Sequence, residues 1–141
     1  MSIRKAQAHW SGTLKEGKGE LSVESGAFKG AYSFSSRFES GTGTNPEELV
    51  GAAHAGCYSM FLSALLSENQ LKPVSIDTTA EVKLERDDVG PKITSIHLEC
   101  RAEVDGISAT DFQALAQKAK QNCPISRLFS GTDITLTASL V

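Results

Sequence analysis

The chain has 141 residues, of which 40% are hydrophobic and 22% charged, and this composition is ordinary for a globular protein. A chain of this length forms one domain and buries enough surface for a core that needs no structural disulfide. Its formal net charge of −3 at pH 7 argues against a nucleic-acid partner, because such proteins usually present a basic face. We therefore expect a single domain over residues 1–141.

The apolar segments and the cysteines predict a soluble cytoplasmic protein that does not bind membranes. No apolar run of signal-peptide length follows the first residues. No window approaches the roughly 18 apolar residues that are needed to cross a bilayer. The three cysteines are expected to be reduced, because the cytosolic thiol pool opposes structural disulfides. A disulfide in this chain would be transient and chemical.

The first third of the chain predicts a β-meander over residues 1–38. Leu21 and Val23 alternate with polar residues, and a Ser-Gly turn ends this run. A second strand is predicted from Tyr32 to Phe38, which places Arg37 near its end.

The central segment predicts a long helix. Asn45-Pro46-Glu47-Glu48 is typical of a helix start, with Asn at the N-cap, Pro at the first helical position and Glu48 placed to complete a capping box. The apolar residues from 49 to 65 favour a helix that is buried on most sides and ends near Asn69. Gly51 and Gly56 each weaken the helix by about 1 kcal/mol relative to Ala, so a break between them is expected.

The remaining chain predicts strands and helices in an α+β arrangement. Alternating residues predict two strands over 74–84 and 96–104, each with one buried face, as in an antiparallel sheet. A helix is predicted from Ser108 to about Asn122 and a closing strand over 134–140, and a short helix opened by Pro124, over 124–129, is left open. We expect antiparallel β-sheets around the central helix.

The three cysteines occupy different sequence environments. Cys100 alternates with apolar residues on a predicted strand, which favours a small core side chain. Cys57 lies among small residues on the central helix, where an inert buried thiol and a reactive one are both open. Cys123 directly precedes Pro124, and the N-terminal end of a short helix there would stabilise a thiolate. A loop cysteine without a role is the alternative.

Arg37 and His54 are further candidates. An arginine beside a cysteine lowers the pKa of the thiol and donates hydrogen bonds to a polar substrate, although a solvated surface arginine is more usual. His54 lies three residues before Cys57, so a Cys–His pair for acyl transfer and a packed histidine are both open. No metal-ligand spacing and no cofactor motif occur. The residues alone thus predict an α+β domain with a redox or nucleophilic thiol, no metal and no cofactor.

Two motifs carry a resemblance to a known family. Residues 43–57, GTNPEELVGAAHAGC, resemble the central motif of the OsmC/Ohr family of osmotically inducible protein C and organic hydroperoxide resistance proteins. Residues 118–126, KAKQNCPIS, resemble the region of its resolving cysteine. The similarity runs nearly end to end, and Arg37-Phe38-Glu39 and His54 are more similar to the OsmC branch.

The resemblance implies an intertwined homodimer of cysteine-based peroxidases that detoxifies organic hydroperoxides in oxidative or osmotic stress. Cys57 matches the peroxidatic cysteine and Cys123 the resolving one. Arg37 matches the arginine that holds the thiolate and contacts the peroxide, and Glu47 matches the carboxylate that orients it. The implied reductant is a lipoylated protein or a similar dithiol.

The spacing of these residues leads to a geometric prediction. Glu47 and Cys57 are ten residues apart, which is about 15 Å along a straight helix, so Arg37 could not contact both comfortably. We therefore expect the helix to bend or break between Gly51 and Gly56 and to start afresh near Cys57. The mechanism also requires a pKa of Cys57 below that of a free thiol, with Arg37 supplying the charge.

Two further hypotheses stay open at this point. The activity of a Cys57–His54 acyl hydrolase would require His54 and would not require Cys123. A non-catalytic homodimer that binds a small apolar ligand would need neither cysteine. Within the peroxidase hypothesis, Tyr58, Met60 and Phe61 are expected to favour alkyl hydroperoxides over hydrogen peroxide.

Overall fold

The computed structural model describes all 141 residues, which form two compact units, residues 1–49 and 50–141. The predicted α+β class is confirmed. In chain order, the elements are β1 (Ala6–Ser11), β2 (Lys18–Val23), β3 (Lys29–Tyr32), α1 (Phe34–Phe38), α2 (Pro46–Glu68), β4 (Pro73–Arg86), β5 (Pro91–Val104), α3 (Ala109–Asn122), α4 (Pro124–Leu128) and β6 (Asp133–Leu140).

The first unit contains an antiparallel sheet of β1, β2 and β3, which confirms a meander. The predicted strand through Arg37 is wrong, because this residue lies on helix α1. The cause is a local capping box: the Ser33 hydroxyl accepts from the Ser36 N–H at 3.1 Å, and the Ser33 N–H donates to the Ser36 hydroxyl at 2.9 Å. These two bonds start a helix where the apolar alternation had favoured a strand.

Helix α2 starts at the position that the sequence predicts. The Asn45 side-chain oxygen accepts from the Glu48 N–H at 2.8 Å, as an N-cap residue should. The Glu48 carboxylate does not complete the capping box; it accepts from the Thr44 hydroxyl at 2.8 Å instead. The helix start is thereby tied to the loop that precedes it.

Helix α2 is continuous from Pro46 to Glu68, so the predicted interruption and the fresh helix start near Cys57 are wrong. Gly51 has a packing role instead. A Cβ added there would lie 3.3 Å from Val82 Cγ2 and 3.4 Å from the Ala80 carbonyl oxygen, so glycine lets the helix approach strand β4 closely.

The second unit is built on a sheet in the order β4-β5-β6. Strands β4 and β5 are antiparallel, as predicted, whereas β6 pairs with β5 in parallel. The parallel pairing is possible because α3 and α4 form the crossover connection that parallel strands require. The core lies on one face of this sheet and contains buried residues of α2, β5 and α3, among them Tyr58, Leu62, Leu66, Ile96, Leu98, Ala102 and Phe112.

Helix α2 contains a window of 18 residues with mean hydropathy 1.5 and is long and apolar enough, by length and composition, to span a membrane. The expectation that no such segment exists is therefore wrong. The core helix of a soluble protein has the same properties.

Only 33% of the 18-residue window of α2 is buried, so the helix is not buried on most sides within one chain. The buried face contains His54, Tyr58, Leu62, Leu65 and Leu66, and the exposed apolar stripe contains Ala52, Gly56, Met60 and Ala64.

Candidate active site

The predicted site residues form two groups in the structure. Arg37 and Glu47 lie in the first unit and contact each other, and Cys57 and Cys123 lie together in the second.

The guanidinium of Arg37 is held by the carboxylate of Glu47. Arg37 Nη2 donates to Glu47 Oε1 at 2.7 Å, and Nε lies 3.1 and 3.3 Å from the two carboxylate oxygens. The carboxylate is nearly buried in the first turn of α2, and the guanidinium also lies 5.2 Å from the centre of the Phe38 ring. A forked, charge-assisted contact of this kind fixes orientation as well as position. Glu47 thus holds the guanidinium of Arg37 in one orientation.

An apolar cleft of about 270 Å³ adjoins Arg37 in the first unit and is lined by Trp10, Leu14, Tyr32, Ser33, Phe34, Arg37 and Phe38. The rings of Trp10 and Tyr32 lie 5.3 Å apart. A Cβ at Gly19 would lie within 3 Å of both rings, so glycine allows them to cover the strand there. The cleft suits a ligand with an apolar tail and a polar end at the guanidinium.

The apolar residues that are expected to favour alkyl hydroperoxides, Tyr58, Met60 and Phe61, do not line this cleft. Tyr58 is fully buried, and its hydroxyl donates to the Ala116 carbonyl oxygen at 3.4 Å. The side chain of Tyr58 is therefore part of the core and lines no open pocket. The side chain of Met60, by contrast, is 78% exposed.

Cys57 lies on α2 as a half-buried free thiol. Burial raises the pKa of Cys57, the neighbouring Cys123 raises it further, and the Ile125 N–H lowers it in part. This direction is opposite to the predicted lowering, because removal of the thiol from water disfavours the thiolate. The contact with Ile125 and Cys123 places Cys57 at the start of α4.

Cys123 is a fully buried free thiol and the N-cap of α4. Of the two positions that the sequence left open, a helix N-cap and a loop, the structure shows the N-cap. The Ser126 N–H donates to Cys123 Sγ at 3.4 Å, and the thiol donates to the Ser126 hydroxyl at 3.1 Å. Ser126 is a site residue that sequence reasoning missed. The sequence does contain a signal for Ser126, because this residue lies three positions after Cys123, the candidate N-cap.

His54 is fully buried, and its partner is Ser126, not Cys57. Nε2 of the ring lies 2.7 Å from the Ser126 hydroxyl oxygen, and Nδ1 has no hydrogen-bond partner. The ring packs edge-on against Phe129, with 5.9 Å between ring centres. Burial lowers the pKa of His54. The geometry therefore offers no Cys57–His54 pair for acyl transfer.

Cys100 is fully buried on β5 within the core, which confirms its predicted packing role. Burial raises the pKa of Cys100, although hydrogen bonds with Tyr58 and Thr78 lower it in part. A thiol with so little tendency to ionise is unreactive.

Two neighbouring free cysteines in an α+β fold define a protein suited to thiol–disulfide chemistry. The family model of OsmC-like proteins matches residues 39–138. The chain is 50% identical to peroxiredoxin OsmC of Escherichia coli over 97% of its length and 96% of that protein. It is 38% identical to the organic hydroperoxide resistance protein OhrA of Bacillus subtilis, over 66% of this chain and 65% of that one. The protein belongs to the OsmC-like family.

The fold agrees with a solved structure of the same kind. The organic hydroperoxide resistance protein OhrB of Bacillus subtilis superposes with a TM-score of 0.70 and 21% sequence identity, over 97% of this chain and 98% of that one. A likeness at this level of identity establishes the fold, and the predicted OsmC-like fold is thereby confirmed.

Proposed function

We propose that the protein is a thiol peroxidase that reduces organic hydroperoxides through Cys57 and Cys123. The observation that carries the proposal is the pair of neighbouring free thiols, one half-buried on α2 and one buried at the start of α4. A relative as similar as peroxiredoxin OsmC, and the relationship to organic hydroperoxide resistance proteins, support a peroxidase.

The proposed reaction has two steps. The Cys57 thiolate attacks the distal oxygen of the hydroperoxide, the O–O bond breaks, and the alkoxide leaves as an alcohol after taking up a proton. Cys57 is then a sulfenic acid. Cys123 attacks its sulfur, which forms the Cys57–Cys123 disulfide and releases water. The disulfide protects Cys57 from further oxidation.

Arg37 and Glu47 have supporting roles in this proposal. A guanidinium fixed by a nearly buried carboxylate can donate to the peroxide oxygens and stabilise a thiolate. Helix α2 is continuous, so Glu47 and Cys57 of one chain lie about 15 Å apart along its axis. The proposal therefore assigns Arg37 to the partner subunit's Cys57 in the homodimer. The apolar cleft beside Arg37 would take the alkyl part of the substrate. We therefore expect organic hydroperoxides to be reduced faster than hydrogen peroxide, which has no apolar part to bind.

The proposal includes a homodimer, a dithiol reductant and a cytoplasmic location. The exposed apolar stripe of α2 supports the homodimer, because large exposed apolar patches mark contact surfaces. A lipoylated protein or similar dithiol would reduce the disulfide by exchange. The free thiols suit the reducing cytoplasm, where detoxification of hydroperoxides in oxidative or osmotic stress would take place.

Consumption of cumene hydroperoxide and of hydrogen peroxide, with reduced lipoamide as the electron donor, tests the proposed function. The native protein should consume cumene hydroperoxide faster, and intact mass after one equivalent should show the loss of two hydrogen atoms. Cys57→Ser should abolish turnover, and Cys123→Ser should reduce one equivalent and then stop. Cys100→Ser is the matched control and should retain both steps. Saturable binding of cumene hydroperoxide without consumption would favour the non-catalytic homodimer instead.

A further inference from the structure

A row of three hydrogen-bonded side chains ends at the sulfur of Cys123. Cys123, Ser126 and His54 are 0%, 5% and 0% exposed. The Cys123 thiol donates to the Ser126 hydroxyl at 3.1 Å, and this oxygen lies 2.7 Å from His54 Nε2. A thiol, a hydroxyl and an imidazole are thus connected from the proposed resolving cysteine to a buried base.

A proton relay along this row requires the tautomer of His54 in which Nε2 is the acceptor. Because the thiol donates to the Ser126 oxygen, the hydroxyl proton of Ser126 is free to donate to Nε2. Nε2 is then the acceptor, and Nδ1 carries the ring proton. Nδ1 is buried without a partner, which is an unfavourable state for a polar group. An apolar side chain at position 54 would pack against Phe129 without leaving a buried polar atom unpaired. Packing alone therefore does not explain why this residue is a histidine.

We propose that Ser126 and His54 take up the proton of Cys123 as this cysteine attacks the Cys57 sulfenic acid. Ser126 is then a catalytic residue, because it touches the reacting sulfur. His54 is a positioning residue and proton acceptor that acts through Ser126. The inference rests on the proposed function of the two cysteines and deepens it by assigning the resolution step.

The step balances without an added oxidant. Cys123 Sγ gives an electron pair to Cys57 Sγ, the S–S bond forms, and the S–O bond breaks with its electron pair on the leaving hydroxide. The proton of Cys123 passes to the Ser126 oxygen while the proton of Ser126 passes to His54 Nε2. The hydroxide takes up a proton and leaves as water, and His54 returns to its neutral form. The Cys57 sulfur is reduced and the Cys123 sulfur is oxidised.

The surroundings of His54 suit a temporary proton acceptor. Burial lowers the pKa of the ring, so His54 is neutral before the step and releases the proton readily after it. The Ser126 N–H, 3.4 Å from Cys123 Sγ, stabilises negative charge on the sulfur while the proton is away.

A single-turnover experiment on the full-length reduced protein separates the two steps. One equivalent of cumene hydroperoxide is added, peroxide loss reports the first step, and intact mass after acid quenching and thiol alkylation reports disulfide formation. The test variants are Ser126→Ala, which retains the N–H that caps α4, and His54→Gln, which can hydrogen-bond Ser126 but cannot accept its proton. Ser126→Thr restores the hydroxyl. Ser59 lies on α2, the helix of His54, and Ser59→Ala loses its hydrogen bond to Thr78 on strand β4. This variant is the matched control.

We expect peroxide loss at the native rate and disulfide formation about 100-fold slower in Ser126→Ala and His54→Gln, a magnitude typical of a lost general base. Ser126→Thr and Ser59→Ala should form the disulfide within about tenfold of the native rate. Native disulfide formation in either test variant, or equal slowing of both steps, would overturn the relay. Failure of the native protein to consume peroxide or to form the disulfide would instead reject the proposed function itself.

Discussion

At the scale of single residues, the ionisation of Cys57 is set by opposing influences. Burial and Cys123 raise the pKa of the thiol, and the Ile125 N–H opposes them. In the proposed mechanism, the guanidinium of Arg37 supplies the missing stabilisation of the thiolate. The reactivity of Cys57 towards alkylating agents therefore reports whether the arginine acts on it.

We predict that Arg37→Ala moves the alkylation of Cys57 to higher pH. The thiolate is the reactive form, so a raised pKa means that the alkylation rate is still rising above about pH 8.5, the range of a free thiol. The native profile should have its midpoint at least about one pH unit lower, because a nearby cation favours the thiolate. Iodoacetamide alkylation of Cys123→Ser, with and without Arg37→Ala, measures both profiles. Identical midpoints would remove Arg37 from its proposed role.

His54 is predicted to make the stability of the protein depend on pH. Burial lowers its pKa below the reference value of 6.5 in the folded state, so the unfolded chain takes up the proton first as the pH falls. The contribution of neutral His54 is complete above about pH 6.5 and is lost below it, by at most about 1.4 kcal/mol per pH unit. Urea unfolding at about pH 7 and pH 5 should show that native and His54→Gln proteins converge in stability at the lower pH.

His9, which is exposed, provides the control for that experiment. His9→Gln removes a histidine from the surface and leaves the contact between His54 and Ser126 in place. A difference between native and His54→Gln proteins that stays constant from pH 7 to pH 5 would show that His54 does not resist protonation in the folded state.

At the scale of elements, α2 combines an apolar composition with two glycines that have different surroundings. Gly51 faces strand β4, where an added Cβ would lie 3.3 Å from Val82 Cγ2. An added Cβ at Gly56 would find no atom within 4 Å in the single chain. The same substitution should therefore have different effects at the two positions.

In the largely monomeric Met60→Asp variant, Gly56→Ala is predicted to stabilise the fold by up to about 1 kcal/mol. Alanine has the higher helix propensity, and no atom of the single chain lies within 4 Å of the added Cβ. Gly51→Ala should gain less or lose stability, since the new methyl group must displace Val82 by a few tenths of an ångström. Chemical denaturation of both variants gives the comparison. A loss of stability in the monomeric variant would contradict the prediction. A loss only in the native protein would indicate that the partner of the proposed homodimer lies against Gly56.

At the scale of the whole molecule, the exposed apolar stripe of α2 predicts association. Met60 is 78% exposed at its centre, and a charge placed in a buried interface is strongly unfavourable. We expect the native protein to be a homodimer and Met60→Asp to be largely monomeric, as measured by light scattering coupled to size-exclusion chromatography. Leu128→Asp is the control, since Leu128 is also exposed, at 69%, but lies outside the stripe. A native monomer would contradict the proposed assembly.

The sequence by itself determined the features that depend on residues close together in the chain. The start of α2 followed from Asn45 and Pro46, because caps depend on neighbouring residues. Pro124 made Cys123 a candidate N-cap, and the structure confirms this alternative. The alternation of β4 and β5 predicted their antiparallel pairing. The motifs around Cys57 and Cys123 identified the family.

Contacts between distant residues were decided only by the tertiary structure. The helix at Arg37 depended on a pair of serine hydrogen bonds that outweighed the apolar alternation. Gly51 was a packing position and not a break, because strand β4 lies against it. The bond between His54 and Ser126 joins residues 72 positions apart. No periodicity or spacing encodes such a contact, since it exists only when α2 and α4 pack in the folded chain.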